Sequence, residues 1–102
     1  MTDRIATALE LYQKFPENDL SRFNLAQAYF DAGDYVNAGE HLSPLCARKP
    51  DWMVGHILLG RCLLATGDLA KGKSTLQHAL QLAIAQHHDG PREELEESLK
   101  EL

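Results

Sequence analysis

The sequence predicts an all-α fold, a short solenoid of helix-turn-helix hairpins closed by a helix at each end. Three observations lead there. Residues 21–50 align without a gap onto residues 55–84 at a shift of 34, and self-similarity at that period marks stacked helical units. Within each unit the apolar residues recur at helical spacing, as in Leu25, Ala28, Tyr29 and Ala32, then Val36, Ala38, Leu42 and Leu45; a strand would alternate them. Each unit is broken once, by Gly33-Asp34 and by Gly67-Asp68. Glycine accepts the left-handed conformation that ends a helix, and aspartate caps the next one.

The elements follow in chain order. Over residues 1–16, "DRIATALELYQKF" sets Ile5, Leu9, Tyr12 and Phe15 on one helical face, an N-terminal capping helix. Residues 17–50 form the first hairpin. Pro44 falls inside its second helix, where it cannot donate to Glu40 and is expected to bend or interrupt the helix. Residues 51–88 form the second hairpin. Ile84 stands where the first has Pro50, so the last helix is expected to run on toward His88. Small residues pair across the repeats, Ala26 with Gly60 and Ala38 with Gly72, and allow helix backbones to approach closely. Asp89-Gly90-Pro91 reads as a stop and restart, followed over 91–102 by a C-terminal capping helix with Leu95, Leu99 and Leu102 on one stripe.

The segments "NLAQAYFDAGDYVNA" through Pro50 and "LLGRCLLATGDLAKG" through Ala79 resemble the tetratricopeptide repeat (TPR) family, over about two repeats from residue 17 to residue 86. The chain departs from the family pattern at Arg22 and His56, where an early tryptophan is common. The resemblance implies right-handed stacking, with the first helix of each repeat facing a concave groove. Leu20, Phe23, Gln27, Phe30 and Asp31 would face it from one repeat, and Val54, Ile57, Arg61, Leu64 and Ala65 from the next. The expected function is non-catalytic protein interaction, with a peptide or helix of another protein held in that groove. Phe23, Phe30, Ile57 and Leu64 would be the apolar anchors. Arg61, flanked by Asn24 and Gln27, would orient a carboxylate or a backbone carbonyl. The alternative is a homodimer packed through the same strip. The family's carboxylate clamp for chaperone tails is disfavoured: only Asn24 resembles a clamp residue, and Phe23, Val54 and Leu58 stand where polar groups would be needed.

Charge and motifs narrow the other classes. A net charge of -5, with ten scattered Lys and Arg, argues against a nucleic-acid partner. The longest apolar runs, "CLLA" and "LAIA", are far too short to span a membrane, and no signal peptide is visible, so a cytoplasmic location is expected. Cys46 and Cys62 read as buried, reduced thiols. "GDLAKGKS" at 67–74 fits the phosphate-loop pattern, the remote case for nucleotide binding. Its counterpart "GDYVNAGE" keeps the turn but lacks the lysine and hydroxyl, so the stretch reads as a helix junction. His87-His88-Asp89 lacks chelating spacing, since adjacent helical residues point about 100° apart. No metal, cofactor or catalytic constellation is expected, and the chain reads as not an enzyme. Glu93, Glu94, Glu96, Glu97 and Glu101 read as a solvated face.

Overall fold

The structure, a computed structural model, describes residues 3–102. Six helices follow one another, α1 (Arg4–Lys14), α2 (Asp19–Asp31), α3 (Tyr35–Arg48), α4 (Met53–Ala65), α5 (Leu69–Ala85) and α6 (Asp89–Lys100), and no strand occurs among the described residues. Each packs on its neighbour in sequence. The two expected hairpins are α2–α3 and α4–α5, and their turns are built as the sequence dictates. Gly33 and Gly67 have φ of 81° and 95°, a region that strains a side chain. Asp34 then accepts from the amide of Asn37, and Asp68 from that of Lys71, filling two otherwise orphaned helix-end donors.

"GDLAKGKS" is the second of these junctions. From Leu69 onward it is helix, and Gly72 packs against Leu64. The close approach expected at the small positions is real: a Cβ added at Gly60 would lie 2.6 Å from Leu76 Cδ2, and one at Gly72 would lie 2.7 Å from Leu64 Cδ2. The core is consequently divided in two. Ala26, Ala38, Leu42, Leu58 and Cys62 join α2, α3 and α4, whereas Met53, Leu76, Ala79, Ala83 and Leu95 join α4, α5 and α6. Both cysteines are free and buried, and burial pushes each thiol up to about 11.

Three local expectations are corrected. Pro44 does not interrupt α3, which runs unbroken from Tyr35 to Arg48 with Leu42 before it and Leu45 and Cys46 after it all buried. Phe15 does not join the packed face of α1. It forms the C-cap of that helix and is 55% exposed. The break before α6 lies at Gln86–His88 rather than at Asp89-Gly90-Pro91. His87 takes the left-handed φ of 60° and His88 is the N-cap, so Asp89, Gly90 and Pro91 are the first turn of the helix.

Histidines tie two of the joints. At the α1–α2–α3 junction, His41 Nδ1 accepts from Arg22 Nε at 3.2 Å, with Tyr12 edge-on and Tyr29 stacked. Between the repeats, the carbonyls of Lys49 and Pro50 accept from His56 Nε2 at 3.1 Å and His78 Nε2 at 2.6 Å, while that of Asp51 accepts from Gln86. Burial holds His41 below the ordinary histidine value, assisted by Arg22 and opposed by Glu40. Burial also holds His56 down, opposed by the Lys49 carbonyl, assisted by His78 and again opposed by Asp51. Both folded values lie below the unfolded one of about 6.5. The unfolded chain therefore binds protons first as pH falls. The stability from neutral His41 and His56 is complete above about pH 6.5 and is lost as pH falls through the folded values. Thermal unfolding monitored by circular dichroism should show a melting temperature that drops from pH 7.5 to pH 5, and His41→Gln with His56→Gln should flatten that slope.

Candidate peptide-binding groove

The site is built from helix register. Asn18, Trp52 and His88 are the N-caps of α2, α4 and α6. Seven residues after each cap stand Leu25, Leu59 and Leu95, of which Leu25 and Leu95 are buried and Leu59 packs against the first core cluster. Five residues after each cap stand Phe23, Ile57 and Glu93, and nine after stand Gln27, Arg61 and Glu97. Positions five and nine share a helix face, so α2, α4 and α6 present one continuous series of rows.

The first two rows hold the expected anchors. Phe23 and Phe30 are half-buried against the first core cluster, and Ile57 and Leu64 against the second, so each gives one side to the core and one to solvent. Phe23 meets Trp52 edge-on at 4.9 Å between ring centroids, and Phe30 meets Tyr35 at 5.2 Å. The Trp52 ring lies over Gly55, where any Cβ would clash with it, and Lys49 Nζ stands 5.8 Å from the ring centroid. Gln27 is occupied on its own helix, donating from Nε2 to Asp31 Oδ1 at 3.0 Å. Asn24 is exposed and faces away from that row, into a cleft of about 260 Å³ between α1 and α2 with Leu11, Phe15 and Leu20. Leu20 also borders a cleft of about 220 Å³ with Phe23 and Trp52. It therefore forms a ridge between the two.

Arg61 has surroundings that the repeats alone do not disclose. It lines a cleft of about 440 Å³ whose other residues are Glu93, Glu94, Glu97 and Ser98 of α6 and its C-cap Glu101. A carboxylate brought to Arg61 would meet four others, so the orienting role expected for this arginine does not fit. The acidic residues, read from sequence as a solvated face, in part line this cleft. The sequence signal for this is the cap spacing, which becomes readable only once His88 is placed as the cap. On the opposite side of α4, Leu59, Cys62, Leu63 and Thr66 line a separate furrow of about 420 Å³ with α3. Among the described residues no group of three or more His, Cys, Asp or Glu could hold a metal ion, and no helix is long and apolar enough to cross a membrane.

The sequence matches no family model. It is 38% identical over 80 residues to the TPR repeat-containing protein PA0015 of Pseudomonas aeruginosa, spanning 78% of this chain and 75% of that one. The chain belongs to the tetratricopeptide repeat family. Solved structures agree on the TPR fold. Protein BPP2914 from Bordetella parapertussis, known from a solution structure, matches 99% of this chain and 88% of its own with a TM-score of 0.82 at 23% identity. The first TPR of Spaghetti (RPAP3), solved with the HSP90 peptide SRMEEVD, matches 94% of this chain and 77% of its own with a TM-score of 0.71 at 18% identity. In this TPR chain the hairpins α2–α3 and α4–α5 carry the 34-residue repeat, and α6 stands at the same cap spacing as α2 and α4.

Proposed function

We propose that this chain is a non-catalytic interaction module that holds a peptide or helix of another protein across α2, α4 and α6. The observation that carries the reading is the register, which sets half-buried apolar residues of α2 and α4 in rows continuous with α6. A shape made of successive helix faces offers contact area and few fixed polar groups, which suits recognition of a side-chain pattern. Family membership supports it, as does the relative bound to a peptide. The same strip would serve a homodimer, but a net charge of -5 on each copy opposes that association.

Leu20 and Val54 test the groove without disturbing the core, because they are 65% and 45% exposed. Affinity capture from an extract of the source cells should retain a partner on the wild-type protein and lose it on Leu20→Ser with Val54→Ser, with unchanged thermal melting. Equal retention by the variant would refute the groove.

A further inference from the structure

We infer that the segment bound in this groove is basic and amphipathic, with apolar residues over α2 and α4 and lysines or arginines against α6. The inference rests on the groove reading above and adds the chemistry of the partner. Its basis is where charge is already neutralised and where it is not. At the α2 end, Asp19 is paired with Arg48 at 2.8 Å and with Lys49 at 3.4 Å, and Asp31 is paired with Arg4. What that end offers a partner is apolar, namely Leu20, Phe23 and Val54.

At the α6 end the balance is reversed. Glu93, Glu97 and Glu101 recur every fourth residue on the groove side, with Glu94 beside them, and Arg61 is the one cation lining that cleft. Among the described residues Arg61 makes no ion pair within 4.0 Å, and Glu97 meets only Lys100, at 3.9 Å on its own helix. Four carboxylates against Arg61, with Lys100 beside Glu97, leave the cleft at about -2. An acidic partner is repelled there, and a cationic one is attracted at a distance set by ionic strength. Apolar contact supplies burial at one end, and the unneutralised acids select charge at the other.

The test uses two synthetic 14-residue peptides with the same leucine pattern at helical spacing, one filled with lysine and one with glutamate, each labelled for fluorescence anisotropy. The Leu/Lys peptide should bind at least about tenfold tighter than the Leu/Glu peptide at about 50 mM salt and lose most of that preference at about 500 mM. Glu93→Gln, Glu97→Gln and Glu101→Gln together should remove most of the preference, and Leu20→Ser with Val54→Ser should abolish binding. If the Leu20/Val54 variant loses binding while the glutamine variant keeps the full preference, the groove stands and basic selection is overturned. If both variants bind as the wild type does, the peptide adheres elsewhere, and the inference falls together with the groove. Binding of neither peptide, or tighter binding of the Leu/Glu peptide, also overturns it. So does a dimer of the protein alone in sedimentation that the Leu20/Val54 variant dissociates, since a second copy would then occupy the strip.

Discussion

Gly72→Leu should lower the melting temperature by about 5–15 °C, the shift that an overpacking cost of about 2–3 kcal/mol, less about 1 kcal/mol of regained helix propensity, gives a domain of this size. Any Cβ at this position would lie 2.7 Å from Leu64 Cδ2, 2.9 Å from Leu64 Cγ and 3.1 Å from the Leu64 backbone nitrogen. A leucine tip can rotate away, but the Leu64 backbone nitrogen, fixed in the last turn of α4, cannot. The variant must therefore push α4 and α5 apart along the tightest line of the second repeat. Working against this is helix propensity, since replacing a mid-helix glycine gains about 0.8–1 kcal/mol. Steric cost wins because the clash displaces Leu64, which packs against the second core cluster, as well as its backbone. Gly90→Ala is the matched control: it lies in the first turn of α6 with nothing within 4 Å of an added Cβ. Differential scanning calorimetry on the pair should show the first variant falling and the second level or slightly raised. A Gly72→Leu protein that melts with the wild type would mean that α4 and α5 are not in close contact.

The second large effect concerns α6. Leu95→Ala should cost about 2–5 kcal/mol, the range for emptying a fully buried leucine position. Leu95 is 2% exposed and joins α6 to Met53, Leu76, Ala79 and Ala83. Nothing else on α6 is buried, so this one side chain supplies most of the anchor. The rest of the helix carries acids and depends on Leu95 and Leu99 to stay docked. Leu102→Ala, at an exposed position beyond the helix, should change stability by less than about 0.5 kcal/mol. Urea unfolding of both variants measures the contrast. Equal, negligible effects would mean that α6 is a loose tail, and the acidic wall of the groove would go with it.

Much of the architecture could be read from the letters because the repeat writes it twice. Gly33 and Gly67 are demanded by left-handed backbone, Asp34 and Asp68 by capping, and Ala26, Ala38, Gly60 and Gly72 by helix contact. Where the pattern appears once, reading failed. Pro91 looked like the start of α6, but a proline is tolerated throughout a first turn whose amides have no helical acceptor. The true break used His87 in a glycine's conformation, and no residue type announces that. Pro44 looked disruptive because local chemistry is all a sequence shows, whereas buried neighbours on both sides decide the outcome.

The site was half legible. Spacing alone pairs Phe23 with Ile57 and Phe30 with Leu64 at equivalent positions of α2 and α4, and all four are half-buried. The glutamates of α6 did not stand out, because charges on a terminal helix look the same whether they face bulk water or a cleft. Placing them depended on the cap position, and with it the meaning of Arg61 changed from a hook for an anion to a minority charge among carboxylates. Asn24 was expected to flank Arg61, yet it stands about 100° round the helix from Phe23 and lines the cleft with α1.

Partners are expected to meet the face shared by α2, α4 and α6. The most direct measurement is a two-dimensional amide titration of isotope-labelled protein with the Leu/Lys peptide. Perturbed amides should cluster around Phe23, Gln27, Ile57, Arg61, Glu93 and Glu97. Perturbations confined instead to the furrow of Tyr35, Val36, Leu63 and Thr66 would contradict it.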